Sequence, residues 1–419
     1  MNFIFCRWDN LMEDKLISAL ERKGHTVLQY TREFCDKDYD TEYLKDFVDF
    51  VQGHKDIDFV ISINYIPIIS RACKFLIESA GGKYKSLRYI SWLCDCPCYS
   101  LYSKTFPERH NHTFFFDRAH AMRFQDIYPS ANIYYLPGAC DMTEYDSLFI
   151  SSEDAQKYSS DVCFVGSLYS EKGTHERLSA MLPPYLMGYV DGIINAQLNV
   201  YGYNFMEESI SEEFIEEFKK IMQWQVPPDY IEHPRSVIAD YYFGYRATML
   251  DRIKTLCAIS PVYSMALYTT TPIMAGDKLL PYTDTFYEGT AVSHAKQCLA
   301  SDIKGIADTK TMLPKIYSCS KINLEMAGKT FKTGMTLRLF DIMGAGGFVL
   351  ANYQPEIPEY FEIGKDLDVY ESIPDLINKI EYYLTHPEIR MQIAENGHKK
   401  VLEHHTYDIR VQEMLELLG

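Results

Sequence analysis

The sequence lacks the excess of basic residues that a protein needs to bind a phosphate backbone by charge. It has 41 lysines and arginines against 58 acidic residues, which gives a net charge of -17. A surface of this sign repels nucleic acid instead of attracting it. We therefore expect no nucleic-acid partner.

The sequence also has no long apolar run and no basic leader. Its first residues, MNFIFCRWDNL, do not match the pattern of a signal peptide. No later stretch approaches the roughly 20 apolar residues of a membrane-spanning helix. The eleven cysteines are an odd number without the spacing of a disulfide scaffold, which favours reduced thiols. We expect a cytoplasmic protein with no membrane span.

Short apolar strands alternate with helical patterns along the first half of the chain. This alternation is typical of a parallel sheet covered by helices on both faces. The 419 residues suffice for two domains of about 150 to 250 residues each. Predicted strands of the first half lie at residues 2–6, 26–30, 58–63, 88–93 and 112–116.

The second half shows the same alternation, with a mostly helical insertion of about 50 residues predicted from helical spacing. The serine-rich polar segment 146–161 is typical of a connection between domains. We predict domains at residues 1–155 and 156–419, with the last helix a candidate for packing back on the first domain. Predicted strands lie at residues 162–165, 263–267, 321–324 and 348–351, and Ser372 and Thr406 are predicted helix caps.

One glycine-rich segment, FDIMGAGGFVLANYQPEIPEYF, begins at Phe340. It predicts a helix at 335–343, a tight turn at 344–347 and a buried strand at 348–351. Glycine in the turn allows the helix end to approach the sheet closely. The start of such a helix can bind an anion through its main-chain N–H groups, and Asp341 can accept hydrogen bonds from ribose hydroxyls. An ordinary helix-strand packing unit remains the alternative.

Several segments carry a resemblance to a known family. They are DVCFVGSLY (161–169), YGYNF (201–205), YSCSKINL (317–324), RLFDIMGAGG (338–347) and HTYDIR (405–410), with weaker similarity at 89–97. In this order they resemble the glycosyltransferases of the GT-B fold related to the spore maturation protein CgeB. The resemblance implies an α/β protein with two Rossmann-like domains, whose parallel sheets face each other across a cleft.

The resemblance also implies an activity. We expect a hexosyltransferase-type enzyme of bacterial-type glycan or protein glycosylation, which moves a sugar from a nucleotide-diphosphate sugar to a hydroxyl group. A UDP-sugar is the favoured donor, held by the second domain, and the acceptor is a glycan or a protein, held by the first. No further cofactor and no metal ion are expected.

Donor-binding roles follow from the same resemblance. The diphosphate is expected at the start of the site helix, and a carboxylate of that helix is expected to hold the ribose. An ordinary strand-to-helix turn is the alternative for the two residues that end the strand at 162–165. The expected donor-binding residues are Gly166, Ser167, Gly334, Met335, Thr336 and Asp341.

Two residues near the start of the same helix leave questions open. Many retaining relatives place a glutamate eight positions before the ribose carboxylate, where this chain has Thr333. The stereochemical outcome is therefore undecided, although Thr333 stays among the donor-binding residues. Arg338 is expected to neutralise charge on the leaving diphosphate, and a surface or interdomain ion pair is its alternative.

An inverting transfer needs a base that takes the proton of the acceptor hydroxyl. Asp95 follows a predicted strand at the carboxyl edge of the first sheet, where open α/β sheets bind ligands. It is the first candidate for the base, and Asp9, which follows the first strand, is the second. A loop carboxylate that caps a neighbouring N–H is the alternative for Asp95.

Patterns that suggest a metal site are weak. Cys94, Cys96 and Cys98 alternate without the usual two-residue spacing and without a paired histidine, so idle thiols are favoured over zinc. Three D-x-D pairs, at 36–38, 56–58 and 366–368, are interpreted as solvated acids.

Two other function classes stay open. The chain could be a nucleotide-sugar epimerase or hydrolase, which needs no acceptor. It could also be a non-catalytic nucleotide-sugar-binding subunit of a glycosylation complex.

Overall fold

The computed structural model describes residues 1–79, 81–145, 148–172, 174–269 and 298–419. The chain divides into two compact units. Unit 1 consists of Met1–Ala139, Val226–His233 and His405–Gly419, and unit 2 consists of Cys140–Gln225 and Pro234–His404. Each unit contains a six-stranded sheet in which all strand pairs are parallel, so the predicted α/β class is confirmed.

The sheet of unit 1 has the strand order β2-β1-β3-β4-β5-β6. Its central strands are continuous apolar runs because helices cover both of their faces. Phe3, Ile61 and Trp92 are fully buried in them. Five of the six strands were predicted within two residues, and β6 was missed. The strands are β1 Asn2–Cys6, β2 Thr26–Tyr30, β3 Phe59–Ile63, β4 Arg88–Trp92, β5 Asn111–Phe115 and β6 Asn132–Tyr135.

Helices alternate with the strands of unit 1. Asp40 and Asp117 cap two of them by accepting hydrogen bonds from backbone N–H groups. A 3₁₀ turn, Tyr99–Tyr102, follows β4. The α-helices are Glu13–Arg22, Thr41–Gly53, Pro67–Ser79, Arg118–Ile127 and Tyr407–Leu418.

The last of these helices packs within unit 1. Thr406 caps it, as predicted. The Arg410 guanidinium is buried and donates hydrogen bonds to the carbonyls of Pro137 and Gly138. Tyr407 packs edge-on against Trp92 of β4, with ring centroids 5.7 Å apart. This helix is therefore part of the core of unit 1.

The sheet of unit 2 has the order β12-β11-β10-β7-β8-β9. Four of these strands were predicted, whereas the short strands β9 and β12 were missed. The strands are β7 Val162–Val165, β8 Met265–Tyr268, β9 Ile303–Gly305, β10 Ile322–Glu325, β11 Val349–Asn352 and β12 Asp368–Tyr370.

Unit 2 contains more helix than the sequence predicted. Between β7 and β8, helices extend from Thr174 to Ile259, interrupted by the short segment that belongs to unit 1. The expected insertion of about 50 residues was therefore too short. The polar segment 146–161 also contains a helix, whose capping box is formed by Ser151 and Asp154.

The predicted cap at Ser372 is confirmed. Within the described residues, no helix is long and apolar enough to cross a membrane. A π-helical segment, Ile238–Gly244, continues directly into the longest helix before β8. The α-helices of unit 2 are Met142–Tyr145, Ser152–Tyr158, Thr174–Met181, Pro184–Gln197, Glu212–Ile221, Pro234–Val237, Tyr245–Ile259, Leu313–Cys319, Leu337–Gly344, Ile357–Tyr360, Ile373–Thr385 and Pro387–His404.

Candidate functional site

The strand order of unit 2 places a crevice between β7 and β10. From β7 the chain continues to β8 and β9 on one side, and then crosses to β10 on the other side. Open α/β sheets bind ligands at such a switch point, outside the carboxyl ends of the strands. Gly166 follows β7, and Glu325 is the last residue of β10. The site helix, Leu337–Gly344, starts after the β10 loop.

Arg338 and Gly166 lie against each other at this crevice. A Cβ atom on residue 166 would come within 3.1 Å of Arg338 Nη2 and within 3.1 Å of Phe164 Cζ. Glycine at this position therefore makes room for the guanidinium. The Gly166 N–H already donates to the Tyr268 carbonyl at 2.9 Å, so this residue contributes space and not a free N–H group.

Glu325 fixes the start of the site helix. Its carboxylate is 2 % exposed, accepts a hydrogen bond from Thr336 Oγ1 at 2.7 Å and pairs with Arg338 Nη1 at 3.2 Å. Thr336 is also the N-cap of the helix and accepts from the Leu339 N–H. Burial lowers the pKa of the Arg338 guanidinium, but Glu325, together with Tyr317 and Tyr169, raises it by more, so the net pKa is raised. The guanidinium is therefore held in its charged form.

A second arginine joins the loops that follow β7 and β10. Arg252 is buried and donates 2.6 Å hydrogen bonds to the carbonyls of Ser167 and Met326. Its guanidinium also lies over the rings of Phe164 and Tyr169. Burial lowers the pKa of Arg252, although it stays far above neutral pH for an arginine. Arg252 therefore links the loop after β7 to the loop after β10.

Asp341 lies one turn further along the site helix than Arg338. Tyr145 Oη donates to Asp341 Oδ1 at 3.2 Å. The Tyr145 ring lies beside Gly344, where a Cβ atom would come within 2.6 Å of it. The predicted ribose ligand therefore stands on the helix that follows the predicted phosphate ligands, and a tyrosine hydroxyl donates to it.

Residues 333–335, which precede the helix cap Thr336, differ in the groups that they can present to a ligand. The Met335 side chain is buried in the apolar core, so only its main chain is available to a ligand. Gly334 is buried as well. Thr333 Oγ1 donates to the buried carboxylate of Glu356 at 2.6 Å, and the Glu356 N–H donates to the Thr333 carbonyl. The Glu356 carboxylate therefore contacts Thr333, the position at which many retaining relatives have a glutamate.

Unit 1 has its own switch point, between β1 and β3. Asn64 follows β3 in the left-handed backbone region, with φ of 58°, which asparagine tolerates well. Its Nδ2 donates to Asp95 Oδ2 at 2.6 Å, and its Oδ1 accepts from the backbone N–H groups of Cys94 and Asp95. Asp9 follows β1 with φ of 69° and is exposed. Both candidate bases lie at the carboxyl edge of this sheet.

The three cysteines near Asp95 have different surroundings. Burial raises the pKa of the Cys94 thiol well above its usual value and raises that of Cys98 to about 11. Cys96 Sγ lies 2.9 Å from His120 Nε2. Within the described residues, no group of three or more histidine, cysteine or acidic side chains is placed to hold a metal ion.

The interpretation of the third D-x-D pair as solvated acids was wrong. Asp366 and Asp368 are 8 % and 6 % exposed. Asp368 accepts a hydrogen bond from Tyr383 and pairs with Lys379, and Asp366 accepts from the backbone N–H of Glu362. These carboxylates fix the chain around β12.

Four residues at these edges were missed from the sequence. Glu325 follows an apolar strand directly, which was a usable signal because strand ends carry site residues in α/β proteins. Asn64 gave a similar signal after β3. Arg252 and Tyr145 gave none, since both are distant in sequence from the residues they bind.

The last part of unit 2 and most of the final stretch of unit 1 match a family of known proteins. Residues 298–416 match the family model described as glycosyl transferase-like. No curated protein sequence matches the chain significantly. Membership of the CgeB-related family, which is a finer statement, stays a prediction.

Solved structures extend the similarity to the whole chain. A sucrose-phosphate synthase from Thermosynechococcus elongatus has a TM-score of 0.55 at 10% identity, covering 100% of this chain and 98% of its own. The chain has the GT-B fold. A glycosyltransferase from Rickettsia africae ESF-5 has a TM-score of 0.52 at 9% identity, with 99% and 97% covered. The Anabaena protein HepE, solved in complex with UDP, has a TM-score of 0.51 at 11% identity, with 100% and 99% covered.

Proposed function

We propose that this GT-B protein is a glycosyltransferase that moves a sugar from a nucleotide-diphosphate sugar to a hydroxyl group of a glycan or protein acceptor. In this proposal the donor lies at the β7/β10 crevice of unit 2. Asp341 binds the ribose, and Gly334, Met335 and Thr336 bind the diphosphate through their main chain. Ser167 lies at the opposite wall.

The observation that carries the proposal is the placement of Arg338. It stands in the first turn of the site helix, where the helix dipole already favours an anion. Glu325 binds Nη1, and the other guanidinium N–H groups have no hydrogen-bond partner within the described part of the chain. A planar guanidinium matches two phosphate oxygens at once. This arrangement supports the binding of a diphosphate leaving group.

The reaction assigned to these residues balances in one transfer. The bond between the anomeric carbon and the diphosphate oxygen breaks, and a bond from that carbon to the acceptor oxygen forms. Arg338 stabilises the negative charge that develops on the diphosphate. Asp95 takes the proton of the acceptor hydroxyl, with Asp9 as the second candidate. We propose that no metal ion takes part, since the charge on the diphosphate is met by Arg338 and the helix start.

UDP is the first nucleotide to test. HepE has been solved in complex with UDP and with UDP-glucose. For this chain a UDP-sugar remains a proposal, which a thermal-shift panel of UDP, GDP, CDP, dTDP and their sugars would check. A ligand that binds only the native state raises its apparent stability.

The deciding variant is Arg338→Ala, with Arg390→Ala as a matched control. Arg390 donates to the Tyr383 carbonyl on another helix of unit 2. We expect Arg338→Ala to weaken nucleotide diphosphate binding at least tenfold and to abolish transfer, while Arg390→Ala keeps both. Equal affinities in the two variants would contradict the proposal.

The same samples separate the competing classes. Release of sugar from the donor without any acceptor would indicate a hydrolase, and an altered sugar still bound to the nucleotide would indicate an epimerase. Tight donor binding without turnover on any acceptor would indicate a non-catalytic binding subunit.

A further inference from the structure

A second, narrow pocket lies in unit 2 beside the β7/β10 crevice. It is enclosed by the loop that follows β10, the loop that follows β11 and the segment after the Pro184–Gln197 helix. Its volume is about 20 Å³. The residues that the argument uses are Gly202, Asn204, Lys329, Lys332, Tyr353 and Gln354.

Gln354 has a side chain that the protein itself does not satisfy. The residue is 8 % exposed and lines the pocket. Within the described part of the chain, its side-chain amide has no hydrogen-bond partner. The amide oxygen and nitrogen of Gln354 are not fully buried, so water or a ligand group in the pocket can reach them.

The walls of the pocket are built by specific contacts. Gly202 has a positive φ of 74°, and a Cβ there would come within 2.6 Å of the Tyr353 ring. Asn204 Nδ2 donates to the Lys329 carbonyl at 2.5 Å. Asn352 exchanges two hydrogen bonds with the backbone of Ala327. These contacts fix the positions of the residues that form the pocket walls.

The charges around the pocket favour a neutral ligand group. Lys329 Nζ lies 3.8 Å from the buried carboxylate of Asp251, and Lys332 Nζ lies 3.5 Å from Glu207. Lys329 Nζ also lies 4.0 Å from the centre of the Tyr201 ring. Each ammonium group is therefore already matched by a carboxylate. A phosphate or carboxylate ligand would have to compete with these acids.

The volume limits what can enter. A pocket needs about 10 to 15 Å³ to hold one water molecule, so 20 Å³ holds one hydroxyl-sized group and not a sugar ring. A hydroxyl group both donates and accepts, which suits an amide that offers an oxygen and an NH₂ group. The ligand group is then a hydroxyl that projects from a larger molecule bound outside.

The residues of the pocket come next to the proposed donor contacts along the chain. Ribose is assigned to Asp341 and the phosphates to residues 334–336. The next residues back along the same loop, Lys332 and Lys329, line the pocket. The Thr333–Glu356 hydrogen bonds join this loop to the one that carries Gln354. Beyond the phosphates of a nucleotide sugar lies its sugar.

We propose that this pocket binds one hydroxyl group of the neutral sugar of the donor, with Gln354 as the residue that recognises it. The inference rests on the proposed function. Gln354 would determine which sugar is transferred and would leave nucleotide binding unaffected. A permanently bound structural water is the competing occupant.

The test compares Gln354→Leu with the wild type and with Gln392→Leu. Gln392 lies on an exposed helix face of unit 2 and bonds only its neighbour Asn396 among the described residues. Titration calorimetry measures the dissociation constants of UDP, of UDP-glucose and of its 2-, 3-, 4- and 6-deoxy analogues. The other nucleotide families replace UDP if the thermal-shift panel selects one of them.

We expect Gln354→Leu to bind UDP within twofold of the wild type and UDP-glucose about fivefold to tenfold more weakly. One deoxy analogue should bind the wild type and Gln354→Leu equally, since it lacks the recognised hydroxyl. Gln392→Leu should match the wild type throughout. Gln354→Glu, which keeps the shape of the side chain and loses its NH₂ donors, is the second variant. If neither variant folds, the deoxy analogues are titrated against the wild type alone.

The failures are distinguishable. If the wild type binds no nucleotide and no nucleotide sugar, the proposed function is wrong and this inference falls with it. If UDP binds but Gln354→Leu and every deoxy analogue leave the affinity for the sugar nucleotide unchanged, only this inference is overturned, and the pocket holds a structural water.

Discussion

The hydroxyl group of Tyr145 donates a 3.2 Å hydrogen bond to Asp341, while its ring occupies the space beside Gly344. One tyrosine therefore contacts the site helix at a carboxylate and, about one turn later, at a glycine. The carboxylate needs the hydroxyl for its orientation, and the ring needs the absence of a side chain at residue 344. Local packing and the proposed ribose ligand thus depend on each other.

Replacing Asp341 by alanine should weaken nucleotide binding at least tenfold with the fold intact, because the ribose loses its carboxylate. Tyr145→Phe, which keeps the ring, should cost a smaller factor of about three to ten, since one hydrogen bond contributes about 1 kcal/mol. Calorimetric titration with the selected nucleotide measures both. Undiminished affinity in Asp341→Ala would remove the ribose assignment.

Gly344→Ala should destabilise unit 2 by about 1 to 3 kcal/mol, because the added methyl group overlaps the Tyr145 ring. Gly192→Ala is the matched control, since that glycine lies inside a helix and a Cβ there meets nothing within 4 Å. The control should be neutral or up to about 1 kcal/mol more stable. Chemical denaturation measures the free energy of unfolding of both variants. Equal values would contradict the predicted overlap with the Tyr145 ring.

Glu325→Gln should cost about 3 kcal/mol, because it leaves the half-buried Arg338 guanidinium without its carboxylate. Glu212→Gln removes the partner of Arg235 in an exposed pair and should change stability by less than about 1 kcal/mol. The double variant Glu325→Gln, Arg338→Met should recover part of the loss. If it instead loses more than Glu325→Gln alone, the coupling between the two residues is refuted.

Asp95→Asn should abolish transfer while donor affinity stays within twofold of the wild type, because the base acts on the acceptor. Asp49→Asn, an exposed change on a helix of the same unit, is the control. Asp9→Asn tests the second candidate in the same assay. Normal turnover of Asp95→Asn together with lost turnover of Asp9→Asn would transfer the role to Asp9.

The stability of unit 1 should fall as the pH drops from about 6.5 to 4. Burial, Arg88 and His110 lower the pKa of His112 to about 4. A folded-state pKa below the unfolded one means that neutral His112 stabilises the fold above pH 6.5, and that this contribution is lost toward pH 4. His112→Gln should flatten this part of the profile, whereas His404→Gln, at an exposed position, should not. Identical profiles would show that His112 does not cause the loss.

Local sequence rules predicted much of the fold. The apolar run at 2–6 and the caps at Ser372 and Thr406 are where they were expected, since adjacent residues determine both features. Strand β12 was missed because it begins with Asp368, and an aspartate in the sequence predicts an exposed residue. Its burial depends on Lys379 and Tyr383, which the helix after β12 brings to it.

In the candidate site, too, the residues that local sequence identifies differ from those that only distant parts of the chain supply. Asp341 and Arg338 could be selected because they stand in a glycine-rich helix-turn-strand segment. The partners that orient them, Tyr145 and Glu325, come from other elements, and only the folded chain brings them together. The N–H of Gly166, one of the expected donor-binding residues, is used by the sheet, and nothing in the sequence indicated this.

Unit 1 is assembled from three separate stretches of the chain, and its last stretch is residues 405–419. During synthesis, residues 1–139 are made well before Arg410 and Tyr407, the buried residues that complete their core. Unit 2 can therefore finish folding before unit 1 does, although domains usually fold in the order of synthesis. A truncation after residue 404 would consequently damage the N-terminal half of the protein more than the half from which the residues were removed.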